Sequence, residues 1–302
     1  MITTYDPSTF LLLKDGSKTS VPDNEKLREA YDKRTPGVRC RDIFLSILRE
    51  LSFIFKHIVK SLYSSFKYHS CENRVVWKKD SESLFVLIHG FRGSPSIFDK
   101  HIMLLNKHPK IDIFVPFVPK KGNCSLVEAS SPIMSHLLSY IEAHPTKPIC
   151  LLANSNGSRI VNWLETQLRA KSPKTALRIS TVAGVHFGSP LVNRAEKYKL
   201  AEISLIPIIR EELAFGSVSN KNLLSQVVEP LEAGIERRDY EYYASTEDLL
   251  YVPELGSSLP ILNKEERHHV VHGYGHNSIV QHVASHQVES CVKWIKSKVA
   301  VN

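Results

Sequence analysis

The feature that most limits how this chain can fold is a series of short apolar runs, spaced by helix-length segments, that begins near residue 74. Leu84-Phe85-Val86-Leu87-Ile88, Ile111-Asp112-Ile113-Phe114-Val115, Pro148-Ile149-Cys150-Leu151-Leu152 and Leu177 to Val182 read as strands. Two of them are apolar without alternation, which marks strands covered on both faces. Arg74-Val75-Val76-Trp77 and Tyr240 to Ala244 add two more strands. Between them, Leu126 to Ala143 and Gly157 to Lys171 read as helices, and Ile279 to Lys298 as a closing helix. Pro132 falls inside the first of these, so either Leu126 or Pro132 is its start. Strands that alternate with helices imply an α/β fold: a mostly parallel central sheet flanked by helices.

Of the 302 residues, 42% are hydrophobic and 23% charged. That balance excludes a disordered or collagenous chain and leaves room for a large core. Five cysteines, an odd number with no CxxC pair, fit a reduced compartment, and Cys150 reads as a buried thiol. Met1-Ile2-Thr3-Thr4-Tyr5-Asp6 lacks the basic and apolar regions of a secretory signal. A cytoplasmic location, with or without peripheral membrane association, is the expectation.

Residues 1–70 read as an N-terminal extension. Residues 1–42 are polar and broken by Pro7, Gly16, Pro22, Pro36 and Gly37, hence loop-like. Phe44 to Phe66 reads as one amphipathic helix with Phe44, Leu48, Leu51, Phe55, Ile58 and Leu62 on a stripe. The formal net charge of +8 has its source here: residues 33–79 carry 11 Lys and Arg against 3 Asp and Glu, whereas residues 123–302 carry 18 of each. A nucleic-acid enzyme would concentrate such charge around its site, so nucleic acid is not an expected partner. Two readings of helix 44–66 stand: it packs on its own domain, or it lies on an anionic membrane.

The chemistry is concentrated at Ala153-Asn154-Ser155-Asn156-Gly157, a small-x-Ser-x-Gly spacing between a buried strand and a helix. This is the setting of a nucleophile elbow, whose turn is tight enough to demand small flanking residues and to lift the serine hydroxyl above the sheet. Upstream, His89-Gly90-Phe91-Arg92-Gly93 follows another strand. A glycine-rich loop there lets backbone N–H groups approach a developing oxyanion. The donors expected are the backbone N–H groups of Phe91 and Asn156.

Together these motifs resemble the α/β-hydrolase superfamily, in its lipase- and esterase-like branch with an HGF-type oxyanion loop. Ala183-Gly184-Val185-His186-Phe187-Gly188-Ser189-Pro190 is similar to the stretch that follows the next strand in many lipases. The resemblance covers about residues 74–300, with the hydrolase domain taken as 71–302. It implies a serine nucleophile, then an acid, then a histidine in chain order. Asp248 is the acid expected, with Glu247 as the alternative. His276, in the Gly273-Tyr274-Gly275-His276 loop before the last helix, is the base expected among His268, His269, His272, His276, His282 and His286.

Residues 191–237 stand where such folds insert a lid or cap. Its apolar residues, Leu200, Ile203, Leu205, Ile206, Ile208, Ile209, Leu213 and Phe215, either cradle an acyl chain or pack on the sheet. The implied activity is hydrolysis of a lipid or other acyl ester. An acyltransferase on the same three residues, or a non-catalytic membrane-associated relative, are the alternatives. No cofactor is expected, and no metal either, since no carboxylate or cysteine arrangement completes a site with the clustered histidines.

Overall fold

The computed structural model describes residues 24–67, 73–199, 205–232, 238–260 and 267–300. The readings made for residues 1–23, and for Leu200 and Ile203, lie outside the described residues. Seven strands form one sheet: β1 Arg74–Val76, β2 Ser83–Ile88, β3 Ile111–Val115, β4 Ile149–Asn154, β5 Leu177–Val182, β6 Arg238–Ser245 and β7 His268–Val271. Their spatial order is β1-β3-β2-β4-β5-β6-β7, and only β1, on the edge, runs antiparallel. The helices are α1 Asn24–Tyr31, α2 Pro36–Lys67, α3 Asp99–Leu105, α4 Leu126–Ala143 and α5 Gly157–Lys171. They continue as α6 Pro190–Lys197, α7 Pro207–Leu213, α8 Val218–Glu232, α9 Leu255–Ser258 and α10 Ser278–Val299.

The unbroken apolar strands are covered twice, as their composition requires. Leu84, Val86 and Ile88 of β2 enter a core with Leu27 of α1, Ile133 and Leu137 of α4 and Leu164 of α5. Phe85 and Leu87, on the opposite face, enter a second core with Leu105 of α3 and Val283 and Ile295 of α10. The chain leaves β2 for β3 on one side and returns to β4 on the other. At such a reversal a crevice opens beyond the carboxyl ends of the strands, and both chemical motifs leave from there, one after β2 and one after β4.

One open reading is decided and another is corrected. Helix α4 starts at Leu126, six residues before Pro132, because the Ser125 side chain accepts a hydrogen bond from Glu128 N and caps it. Residues 24–42 are largely helical rather than loop-like: Leu27 and Tyr31 lie in the main core, and α2 begins at Pro36, whose fixed φ suits a first helical turn. Among the described residues no helix is long and apolar enough to cross a membrane.

Candidate active site

Strand β4 ends at Asn154, and helix α5 begins at Gly157. The two residues between must reverse the chain, and Ser155 adopts φ +51° to do so. A non-glycine residue there is strained, and the neighbours hold it in place. Ser155 N donates to Val182 O at 3.1 Å, while the Ser158 hydroxyl donates to Ser155 O at 2.7 Å. Gly157 packs so tightly on the Ile88 carbonyl oxygen that a Cβ would overlap it. Ser158, the other serine of the motif, is thus a brace for the turn.

The loop after β2 lies against the elbow. A Cβ on Gly90 would come within 2.6 Å of Ser155 Cβ and 3.1 Å of Ser155 Oγ. Asn154 Oδ1 accepts from Gly90 N at 3.1 Å and fixes this approach. A turn at Pro119–Gly122 supports the loop from outside, with Arg92 N donating to Lys121 O at 2.7 Å. A Cβ at Gly122 would lie 3.5 Å from Phe91 Cα and 3.7 Å from Asn156 Nδ2, so the Gly122 turn borders both residues. Gly122, with φ +78°, belongs to the site although no motif pointed to it.

Asp248 and His276 meet directly. Asp248 Oδ2 lies 2.5 Å from His276 Nδ1, and Asp248 Oδ1 accepts from Tyr251 N at 3.3 Å and Val252 N at 3.1 Å. The pair follows β6 and β7, at the same edge of the sheet as Ser155, which follows β4. Burial disfavours a charged imidazole, but the Asp248 charge and hydrogen bond outweigh it, with a smaller push from Glu50. The His276 pKa is held above the usual histidine value. Glu247 points elsewhere: Oε1 lies 2.6 Å from Arg34 Nη2, and Oε2 accepts from Gly273 N at 2.5 Å.

Helix α2 reaches this loop from the far end of the chain. The Glu50 carboxylate accepts from Asn277 N and Asn277 Nδ2 at 3.1 and 2.6 Å, and from Ser278 N at 3.0 Å. A carboxylate from one helix therefore caps the N-terminus of α10, just after His276. Arg49 Nη1 donates to Gly273 O at 2.5 Å and its guanidinium lies 4.2 Å over the Tyr274 ring. The only sequence sign of this role is that Glu50 is the last acid before Glu72, set among apolar positions.

The other histidines have separate partners. His186 is fully buried between Asn162 Nδ2 and Thr181 Oγ1, and burial drives its pKa down to about 3. His268 contacts Tyr31 and Pro260 O, His272 contacts Thr246, and His282 stacks on Tyr274. His269 and His286 correct an expectation, since Glu241 does complete a three-residue set with them, its donor atoms within 4.8 Å of one another. Arg178, 2.9 Å from the same carboxylate, already supplies the positive charge there.

The insertion borders the site. Val192 of α6 and Ile209 and Leu213 of α7 form a small cluster with Val185 and Val252, against which Phe91 and Tyr251 pack. The Tyr251 ring lies 4.8 Å from the His276 ring. Phe215 instead packs on the main core, and Ile206 and Ile208 are partly exposed. The packing reading holds for Phe215. Buried Arg159 of α5 ties the insertion down through Asn220 Oδ1 at 2.6 Å and Glu212 at 3.5 Å.

No protein-family model matches the sequence, and no curated protein matches it. Solved structures do. A Bacillus licheniformis lipase in mature form is 14% identical with a TM-score of 0.53, covering 76% of this chain and 99% of its own. A metagenome-derived lipolytic enzyme is likewise 14% identical with a TM-score of 0.52, covering 76% of this chain and 98% of its own. At such identity the likeness speaks to architecture, and it agrees with the sheet order and crossovers above. The chain has the α/β-hydrolase fold.

Proposed function

We propose that the protein is a serine carboxylic-ester hydrolase of esterase or lipase type, acting on a lipid or other acyl ester. The observation that carries the reading is the 2.5 Å contact of Asp248 with His276 Nδ1, at the edge where Ser155 stands in a strained turn. Contact at Nδ1 leaves Nε2 as the atom that handles the serine proton. His276 Nε2 takes the proton of the Ser155 hydroxyl, and Oγ attacks the ester carbonyl carbon. The carbonyl π electrons move onto oxygen, where the Phe91 and Asn156 N–H groups and the N-terminus of α5 stabilise the charge. Collapse expels the alcohol, which takes its proton from His276 and leaves an acyl-serine. Water, deprotonated by His276, then attacks the acyl carbon and releases the acid.

Asp248 orients the imidazole and stabilises its charged form without taking the proton. Phe91, partly exposed and packed on the apolar cluster of the insertion, gives the site an apolar wall, which supports acyl esters as the substrate class. The test is labelling by a fluorophosphonate serine probe. Labelling of the native chain and its loss in Ser155→Ala are expected; an unlabelled native chain, beside a reactive control esterase, removes the reading. Hydrolysis of p-nitrophenyl esters of rising chain length then separates esterase from lipase.

A further inference from the structure

Helix α2 packs on the protein by its polar side. Asp42 and Ser46 are buried, and Arg49 and Glu50 hold the 273–278 loop. Phe44, Ile47, Leu48, Leu51, Phe55 and Val59 face outward, with Phe44 61% and Phe55 69% exposed. Their spacing of three and four residues makes one stripe, about 22 Å long at 1.5 Å per residue. Amphipathic helices ordinarily bury their apolar face; α2 presents it. A contiguous exposed apolar patch marks an interaction surface.

Charge identifies the occupant. Residues 33–79 carry 11 basic and 3 acidic side chains, and no acid occurs between Glu50 and Glu72. Arg41 and Lys56 of α2 are exposed, and helical spacing sets both on the same flank of the stripe. A second copy of the chain, paired about a two-fold axis, would set like charges together. An anionic surface would not. Among the described residues no helix is suited to crossing a membrane, so a helix of this kind lies in the plane of the headgroups.

We propose that α2 docks the protein on an anionic lipid surface, the Phe44–Val59 stripe entering the headgroup boundary and the basic flank of Arg41 and Lys56 meeting the lipid charges. The docked helix carries the histidine loop with it. A cleft of about 680 Å³ lies between Leu48, Phe53 and Lys56 of α2 and Tyr274 and Gln281. The consequence that a lipid ester is taken from that surface rests on the hydrolase reading; docking itself does not.

The test is co-sedimentation of the full chain with vesicles of phosphatidylcholine, with and without phosphatidylserine. Binding at least tenfold tighter to the anionic vesicles is expected. Arg41→Gln with Lys56→Gln should weaken it about 25-fold, since each basic residue near such a surface contributes about fivefold. Leu51→Asp with Phe55→Asp should abolish it. Those two positions are exposed, so their thermal midpoint should not move, and the Arg41 and Lys56 pair stands as the second variant if it does. Equal binding to both vesicle types, or none, overturns the proposal. So does self-association that the same variants abolish in a chain that ignores vesicles. Ser155→Ala should sediment like the native chain. A chain that binds vesicles but never takes the serine probe keeps docking and loses the hydrolase reading, and the converse loses docking alone.

Discussion

Asp248 and Glu247 are adjacent carboxylates with different work, and the difference lies in which way the chain turns after β6. Asp248 receives two backbone N–H groups on one oxygen and His276 on the other. Glu247 is bound to Arg34, whose partners also include Asp32 and Asp42. In the proposed mechanism, Asp248→Asn presents the wrong hydrogen-bonding group to Nδ1 and lowers kcat by about 10⁴. Glu247→Gln leaves His276 paired and instead loosens the Arg34 cluster, so its effect is on the thermal midpoint. Esterase kinetics and melting of the two variants check this, and a kinetic loss in Glu247→Gln equal to that in Asp248→Asn contradicts the assignment. Gly90→Ala is a steric test of the same site. Its methyl would crowd Ser155 Cβ and Oγ, and overpacking of about 1–3 kcal/mol should slow probe labelling by about 5- to 150-fold. Labelling at the native rate would show that the loop gives way.

At the scale of elements, α2 shows what a sequence discloses and what it withholds. Its stripe and its end near Phe66 were legible, because helical periodicity is local. Its start at Pro36, eight residues before Phe44, was hidden by reading Pro36 and Gly37 as breakers. The direction of the stripe was not legible either, because that depends on Glu50 meeting Asn277 and Ser278 more than two hundred residues away. Ser155, Phe91 and Asn156 were legible for the opposite reason, each lying in a contiguous strand–turn segment. Gly122 escaped because its turn meets Phe91 only through space. The α4 start was written in Ser125 and Glu128, a capping box that outweighs Pro132 as a boundary signal. Glu50 also yields a prediction. Its charge helps to raise the His276 pKa, and the mechanism needs neutral His276. Glu50→Gln should therefore shift the acid limb of the kcat/KM profile to lower pH, while loss of the cap on α10 lowers kcat. A drop in kcat with an unmoved limb would make Glu50 a structural cap alone; an acid-shifted limb marks it as a positioning residue for His276.

Across the whole molecule, titration is divided between the site and the core. His89, His101 and His268 are buried with pKa values pushed down to about 4, and His186 to about 3, in each case by burial first. They are neutral in the fold and ordinary in the unfolded chain. Between the folded values and about 6.5 the unfolded state binds more protons, so stability falls as pH drops through that window. At pH 5 the loss approaches about 2 kcal/mol for each such histidine. His276 works in the opposite sense, its raised pKa adding stability at low pH, but it is one group against four. Glu241 is held down to about 2 despite its burial, by His269 and Arg178, so its contribution persists until the pH falls below the usual carboxylate range. The interval from pH 7 to 5 thus belongs mainly to the core histidines. Thermal midpoints should fall steadily across it, and more steeply than loss of activity alone would suggest. His101 contacts Gln287 on α10, remote from Ser155, with Nε2 2.9 Å from Oε1. Replacing it by Phe should flatten the slope of stability with pH by up to one proton. A midpoint unchanged from pH 7 to 5 would mean that these histidines do not stay neutral in the fold.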